Sequence, residues 1–257
     1  MIANILSVQN LRKSFGNLHA LDGISLDAAR RRVSVLIGPN GSGKTTLINV
    51  VSGLYKPESG KVLFEGKNVT GVTPHKLYRI GIARTFQIPA LFWRLTVLEN
   101  LLVAEKNNPG ESFRKSLFKR LWKDNETEAT EKASRILDLL GMSRLWSQPA
   151  YNLSGGQMKL VEIGRALMSD AKLLLLDEPV SGVNPTLAHE IFSRILKLRD
   201  QLGLSFFIVE HRLDIALKYV DEIFVMALGR LIASGVPEEV IRNKNVVEAY
   251  LGAGYLG

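Results

Sequence analysis

Short apolar runs rich in Val, Ile, Leu and Phe alternate along the chain with stretches whose apolar residues recur at helical spacing. This alternation predicts a layered α/β domain with a largely parallel sheet. A run of four leucines at 173–176 has no polar alternation, which is typical of a central strand buried on both faces. Leu228-Gly229-Arg230 predicts a hairpin, with short helices from Pro237 onward. We predict strands at 5–10, 33–37, 61–64, 82–86, 173–176, 206–209 and 222–226.

Helical periodicity replaces the strand pattern between Thr96 and Arg165. We therefore predict a helical subdomain inserted into the α/β core of one 257-residue domain. The predicted core comprises residues 1–87 and 163–257, and the predicted helical subdomain comprises residues 88–162.

The composition is that of a globular protein, since 46% of the residues are hydrophobic and 23% are charged. These fractions exclude a fibre or a disordered tail. No apolar run approaches the roughly 18 residues that a membrane-spanning helix needs, and no secretory signal is visible, so we expect a cytoplasmic protein. The absence of cysteine excludes disulfides, thiol catalysis and thiolate metal sites. A net charge of +8 permits polyanionic partners such as nucleotides, nucleic acid or an anionic membrane surface.

A glycine-rich segment after the predicted strand 33–37 fits the phosphate-loop pattern and precedes a helical run. Its glycines let backbone N–H groups converge on phosphate oxygens, and the helix adds its positive N-terminal end. We expect Lys44 to neutralise the β- and γ-phosphates of a bound nucleotide and the Thr45 hydroxyl to coordinate Mg²⁺. A turn without a ligand is the alternative, and the lysine and hydroxyl in register disfavour it. The predicted nucleotide-binding residues are Gly38, Pro39, Asn40, Gly41, Ser42, Gly43, Lys44, Thr45 and Thr46.

Two carboxylates, Asp177 and Glu178, follow the four leucines and precede Pro179. They are predicted at the C-terminal edge of a parallel sheet, where ligands of open α/β sheets bind. We expect Asp177 to hold Mg²⁺ and Glu178 to act as the general base that deprotonates the attacking water. The alternative is a charged pair that ends a strand before a turn, and the phosphate loop upstream disfavours it.

The segment Ser154-Gly155-Gly156-Gln157 precedes a helical run. Ser-x-x-Gln is a capping box, which is a sufficient structural explanation by itself. Two consecutive glycines are nevertheless costly at a helix start unless another group approaches the backbone closely, and a helix N-terminus is a ready anion site. Together with Leu153, and upstream of an acidic strand end, the segment resembles the signature motif of the ABC ATPases. The resemblance implies that Ser154, Gly155, Gly156 and Gln157 bind ATP held by a second subunit, so that two chains enclose two ATP molecules.

The same resemblance extends over essentially the whole chain and implies roles for further residues. It implies a P-loop NTPase core with a mostly parallel sheet, an N-terminal antiparallel β part and an inserted helical subdomain. Gln87 matches the glutamine that joins the metal and water network to the membrane partner, and His211 matches the histidine that contacts the γ-phosphate. Phe15 matches the aromatic residue that stacks on adenine. An ordinary surface or core role for His211, and a core role for Phe15, are the alternatives.

One departure from the family pattern lies in the segment Ser181-Gly182-Val183-Asn184-Pro185, which resembles the D-loop. Asn184 stands where most members carry aspartate. The difference affects the expected contacts between subunits rather than the ATPase assignment.

The segments 81–87, 95–102 and 156–167 resemble the ATPase subunits of branched-chain amino acid importers, and 106–127 fits the insertion of the longer subunit type. The resemblance implies integral membrane permease subunits and a second ATPase subunit as partners, an extracytoplasmic substrate-binding protein as an indirect one, and a peripheral position on the cytoplasmic face of the cell membrane. Importers of other substrates and ABC exporters have similar ATPases and remain alternatives.

A soluble ABC ATPase acting on nucleic acid or the ribosome is a further alternative. Those relatives usually carry a long coiled coil or tandem ATPase domains, which this sequence lacks, so no nucleic-acid partner is expected. A module that binds nucleotide without hydrolysing it should have lost Lys44 or Glu178, and both are present.

Segment 112–123 carries five basic residues and no acidic residue. On a helical wheel its apolar residues occupy one half and all but one of its basic residues the other. The segment fits either a helix packed on its own subdomain with a solvated basic face, or a contact with the inner membrane surface or a permease loop.

Overall fold

The structure of the chain is a computed structural model that describes residues 4–86, 89–106 and 123–251. The predicted Gln87 lies outside the described residues, as do nearly all of the basic segment 112–123 and most of the predicted insertion 106–127.

Ten strands and nine α-helices make up the described part of the chain. The strands are β1 (Asn4–Phe15), β2 (Leu18–Ala29), β3 (Val33–Ile37), β4 (Ser59–Phe64), β5 (Lys67–Asn68), β6 (Ile82–Arg84), β7 (Leu173–Asp177), β8 (Ser205–Val209), β9 (Glu222–Ala227) and β10 (Arg230–Gly235). The helices are α1 (Lys44–Val51), α2 (Pro74–Ile80), α3 (Val97–Leu102), α4 (Lys123–Leu140), α5 (Gly155–Leu167), α6 (Pro185–Leu202), α7 (Leu213–Ala216), α8 (Pro237–Val240) and α9 (Lys244–Leu251).

The strands form two sheets. A four-stranded antiparallel sheet has the order β2-β1-β4-β5, and a six-stranded sheet has the order β10-β9-β3-β8-β7-β6. In the larger sheet β9, β3, β8, β7 and β6 are parallel, and β10 returns antiparallel to β9 through the predicted hairpin. The α/β class with a mostly parallel sheet and an N-terminal antiparallel part is therefore confirmed.

The larger sheet is buried on both faces. Along β7, Leu174 and Leu176 pack into one hydrophobic cluster, whereas Leu173 and Leu175 pack into the other. All four leucines are fully buried. This two-sided burial explains why the strand shows no polar alternation.

Two strand predictions are wrong in extent. The strand predicted at 82–86 ends at Arg84, because the backbone N–H of Phe86 donates to the Glu162 carboxylate (3.0 Å) instead of continuing the ladder. The first strand runs on to Phe15 and pairs with β2, which the sequence analysis did not predict.

Between β6 and β7 the described residues form helices and irregular structure without a named strand. Helix α3 begins with a capping box, since the Glu99 N–H donates to the Thr96 hydroxyl and the Glu99 carboxylate accepts the Thr96 N–H. Helix α5 spans residue 163, so the predicted boundary between the subdomain and the core falls inside one helix.

Among the described helices, none combines the length and apolar character needed to cross a bilayer.

Candidate nucleotide site

The phosphate loop connects β3 to α1 at the C-terminal edge of the larger sheet. Gly43, the N-cap of α1, has φ +100, and a Cβ there would lie 2.3 Å from the Ala20 carbonyl oxygen. Gly41 also has positive φ, but no atom lies within 4 Å of its ideal Cβ position. The loop is therefore packed tightly against β2 at one end and open at its tip.

Lys44 is nearly buried, and its Nζ donates to the carbonyl oxygens of Gly38 (2.8 Å) and Pro39 (2.9 Å). Burial lowers the pKa of Lys44, while the negative charges of Glu178 and Asp177 oppose that shift. The structure thus brings the predicted lysine and the acidic pair within electrostatic reach of one another, although they are more than 130 residues apart in sequence.

The loop has the features that a phosphate group requires. Helix α1 starts at a glycine, so its N-cap residue has no side chain that could compete with an anion for the N-terminal N–H groups. The open side of Gly41 leaves space for an anion, and Thr45 is exposed. Thr46 is half-buried in the first turn of α1 and Ser42 is buried inside the loop.

The donors available to a divalent cation are hard oxygen atoms, which suit Mg²⁺. They are the Thr45 hydroxyl and the Asp177 carboxylate, whose Oδ2 accepts a hydrogen bond from Arg84 Nη2 at 3.0 Å. The described residues contain no group of three or more His, Cys, Asp and Glu side chains that could hold a metal alone. Any Mg²⁺ here would therefore share its coordination with phosphate oxygens and water.

Glu178 follows β7 in an unusual conformation for a residue with a side chain, with φ +48. Its N–H donates to the Val209 carbonyl oxygen (2.9 Å), which ties it to the end of β8. Its Oε1 lies 2.8 Å from Nε2 of His211, and the His211 side chain is 40% exposed. The predicted base and the predicted γ-phosphate contact are therefore adjacent.

Beneath this pair lies Glu210, which is 1% exposed and accepts N–H groups from three residues. They are Val180 (3.0 Å), His211 (3.0 Å) and Arg212 (3.2 Å). Burial raises the pKa of Glu210, and these hydrogen bonds oppose the shift. One carboxylate thus joins the loop after β7 to the loop after β8.

The signature motif forms the capping box that its sequence predicts. The Gln157 N–H donates to the Ser154 hydroxyl (3.3 Å), and the Gln157 side chain accepts the Ser154 N–H (2.9 Å). Gly156 is buried, and a Cβ there would lie 2.1 Å from the Leu187 side chain on α6, so packing within the chain accounts for this glycine. Gly155 and Ser154 are exposed, and a Cβ on Gly155 would meet nothing within 4 Å. The exposed face of the cap is open to another molecule.

Phe15 is 45% exposed at the end of β1, which rules out the core role considered above. Its ring contacts Tyr55 edge-on at 5.5 Å, and Lys13 Nζ lies 5.3 Å from the ring centroid. Asn184 caps α6, since its Oδ1 accepts the Leu187 N–H at 2.9 Å. Asparagine thus retains the capping hydrogen bond that an aspartate would make.

Besides Glu210, sequence reasoning missed three charged side chains around the site. Arg84 donates to Asp177, Asn49 and Ser52 at once. Lys159 of α5 donates to the carbonyl oxygens of Glu178 (2.9 Å) and Ser181 (2.7 Å), and Glu162 accepts the Phe86 N–H. The available signal was the presence of charged residues inside the strand predicted at 82–86 and inside the helical run after Gln157.

A cavity of about 570 Å³ opens beside these residues. Glu162 and Arg165 of α5, Arg84 at the end of β6, and Phe86 and Val103 in the loops after β6 and α3 contribute to its lining. Burial raises the pKa of Glu162 to about 7, despite the opposing Phe86 hydrogen bond and the charges of Arg165 and Lys159. The cavity therefore combines apolar and ionisable groups.

Known proteins resemble the chain over nearly its full length. The family model described as "ABC transporter" matches residues 21–181, and the one described as "Branched-chain amino acid ATP-binding cassette transporter" matches residues 230–255. The Archaeoglobus fulgidus protein named "Probable branched-chain amino acid transport ATP-binding protein LivG" is 52% identical over 97% of this chain and 96% of its own length. The "High-affinity branched-chain amino acid transport ATP-binding protein BraF" of Pseudomonas aeruginosa is 36% identical over 96% of this chain and 98% of its own length.

A crystal structure of the ADP conformation of an ATP-binding cassette of an ABC transporter matches with a TM-score of 0.85. It is 49% identical in sequence and covers 97% of this chain and 99% of its own. The phosphate loop, the acidic strand end and these likenesses agree with the predicted fold and activity. The chain belongs to the ABC transporter family and is one of its nucleotide-binding, ATP-hydrolysing subunits.

Proposed function

We propose that the chain hydrolyses ATP as one half of a dimer that encloses two ATP molecules and powers the import of branched-chain amino acids. The observation that carries the proposal is the convergence of Lys44, Asp177, Glu178 and His211 at one edge of the sheet. The relatives named for branched-chain amino acid transport support the choice of substrate class.

Within one subunit, the phosphate loop binds the β- and γ-phosphates through its N–H groups and Lys44. Thr45, Asp177 and Gln87 would hold Mg²⁺, which would neutralise part of the phosphate charge. Arg84 orients Asp177 through its hydrogen bond to Oδ2. Glu178 accepts the proton of the attacking water, while His211 orients the Glu178 carboxylate and contacts the γ-phosphate. Phe15 stacks on the adenine ring.

Between subunits, Ser154, Gly155, Gly156 and Gln157 of each chain bind the γ-phosphate of the ATP held by the other. The exposure of Ser154 and Gly155 supports this arrangement, because the N-terminal end of α5 is accessible to a second molecule. ADP lacks the γ-phosphate, so hydrolysis removes the contact and lets the subunits separate. The second subunit is either a copy of this chain or a homologous ATPase.

The membrane partners are integral permease subunits, and a substrate-binding protein outside the membrane acts through them. The chain then sits peripherally on the cytoplasmic face of the membrane. The 570 Å³ cavity supports a docking place for a permease segment, because it opens to solvent beside exposed Phe86 and Val103 and adjoins the position of Gln87 in sequence. A segment bound there lies between the metal site and α5.

The experiment that tests the proposal is ATP-dependent dimerisation of Glu178→Gln. Glutamine keeps a hydrogen-bonding side chain of the same shape but removes the proton acceptor, so hydrolysis should fall by about 10² or more. Unhydrolysed ATP should then hold two subunits together, as measured by light scattering, whereas ADP should not.

Two further variants are the controls. Lys44→Ala should weaken nucleotide binding and give no ATP-dependent dimer, and Ser154→Arg added to Glu178→Gln should abolish the dimer. A dimer that forms equally with ADP, or that survives Ser154→Arg, would refute the proposed ATP-enclosing dimer. Full hydrolysis in Glu178→Gln would refute the assignment of the base.

A further inference from the structure

Lys159 lies five residues after the Ser154 cap, in the middle of α5, and only 9% of it is exposed. Its Nζ donates to two backbone carbonyl oxygens, those of Glu178 at 2.9 Å and Ser181 at 2.7 Å. A lysine is rarely buried, because its charge loses hydration, and these carbonyl oxygens replace part of that hydration. The side chain therefore has a specific place in the turn that follows β7.

That turn holds the general base. Glu178 has a left-handed backbone conformation, which costs free energy for any residue other than glycine and persists only when neighbouring groups hold it. The Ser181 N–H donates to the Glu178 carbonyl oxygen at 3.1 Å, and Lys159 donates to that same oxygen. Lys159 thus binds the backbone at both ends of the turn, at Glu178 and at Ser181.

The N-terminal end of the same helix bears the exposed cap. At about 1.5 Å of rise per residue, Lys159 lies on the same rigid helix about one and a half turns from Ser154. A displacement of the cap along or across the helix axis therefore moves Nζ, and with it the backbone that orients the Glu178 carboxylate.

We propose that Lys159 is a positioning residue that couples the nucleotide bound by the second subunit to hydrolysis in its own subunit. The inference rests on the proposed function, in which the Ser154 end of α5 binds the partner's ATP. Engagement of that end sets the position of α5, and the two Lys159 hydrogen bonds transmit this position to the turn that carries Glu178. Lys159 itself touches neither ATP nor water.

The test compares Lys159→Met, which removes the donors, with Lys159→Arg, which retains them. We expect Lys159→Met to lower kcat for ATP hydrolysis about tenfold or more, because small misplacements of a catalytic group have effects of this size. KM for ATP should stay within about twofold of wild type, and the dependence of rate on ATP concentration should lose cooperativity. Lys159→Arg should restore most of kcat.

Lys132→Met is the matched control, since Lys132 also donates to a backbone carbonyl oxygen, that of Met168 at 2.6 Å, but belongs to α4 and pairs with Glu105 and Asp170, outside the phosphate loop and the turn of Glu178. Its kcat should equal that of wild type. In the Glu178→Gln background, Lys159→Met should still form the ATP-dependent dimer, because the cap and the phosphate loop are intact. If Lys159→Met does not fold by circular dichroism, Lys159→Gln takes its place, since its shorter amide cannot reach both carbonyl oxygens.

Three results would overturn the inference: an unchanged kcat in the folded Lys159 variant, a loss confined to KM, or a Lys159→Arg enzyme as slow as Lys159→Met. A different result would refute the proposed function: ATP hydrolysis by Glu178→Gln at the rate of wild type. Wild-type hydrolysis that requires Glu178 but not Lys159 would refute only the role of Lys159.

Discussion

Replacing Glu162 with glutamine should make the protein more stable at alkaline pH and leave it nearly unchanged at acidic pH. Glu162 is 8% exposed, and burial raises the pKa of its carboxyl from the ordinary 4.5 to about 7. Between these two values the folded protein keeps a proton that the unfolded chain has released. Stability therefore falls as pH rises through this window.

The size of the effect follows from the two pKa values. At 1.36 kcal/mol per pKa unit, the full penalty for ionised Glu162 is about 3 kcal/mol, and the change between pH 5 and pH 8.5 is about 2.5 kcal/mol. Glutamine remains neutral throughout, and its side-chain oxygen can still accept the Phe86 N–H. The difference in unfolding free energy between Glu162→Gln and wild type should therefore shift in favour of the variant by about 2.5 kcal/mol across this range.

Urea unfolding followed by tryptophan fluorescence at pH 5 and pH 8.5 measures this shift. Glu128→Gln is the control, because Glu128 is exposed on α4 and its substitution should have nearly the same effect at both pH values. If the unfolding free energies of Glu162→Gln and wild type differ by the same amount at pH 5 and at pH 8.5, then Glu162 ionises in the folded protein as it does in the unfolded chain. That result would refute the argument from burial.

The remaining predictions concern coupling and the phosphate loop. Gln87→Ala should lower amino acid transport in reconstituted vesicles by a larger factor than it lowers ATP hydrolysis by the assembled transporter, and equal factors would contradict a coupling role. Gly43→Ala should abolish nucleotide binding measured by calorimetry, because the added methyl would lie 2.3 Å from the Ala20 carbonyl oxygen at φ +100. Gly41→Ala meets no atom within 4 Å, so it should retain the fold with a backbone penalty of about 1–2 kcal/mol, and equal losses in the two variants would contradict the packing argument.

The elements that were predicted correctly from sequence depend on residues close together in the chain. Strand β3 and the four leucines of β7 are continuous apolar runs, and the cap at Ser154 depends on two residues three positions apart. Strand β2 was missed although Ile24, Leu26 and Ala28 alternate with polar residues and are buried. Gly23 and the irregular register with β1 interrupt that alternation and shorten the recognisable pattern.

Some residues of the nucleotide site could also be predicted from local sequence. The phosphate loop could be found because its function depends on consecutive residues, with a strand before them and a helix after them. Asp177 and Glu178 could be placed near it because the C-terminal ends of parallel strands share one edge of the sheet. Those inferences needed only local pattern and one rule about topology.

The sequence by itself determined the fold class, the phosphate loop, the acidic pair and the helix cap at Ser154, because each depends on neighbouring residues. Only the tertiary structure decided that Arg84 binds Asp177, 93 residues away, that Glu162 ends β6 by binding Phe86, 76 residues away, and that Lys159 holds the turn of Glu178. These contacts follow from the order β10-β9-β3-β8-β7-β6 and from the packing of α5 beside β6 and the turn after β7. The free energy of a buried charge depends on which groups the fold brings within hydrogen-bonding distance, and spacing along the chain does not determine that.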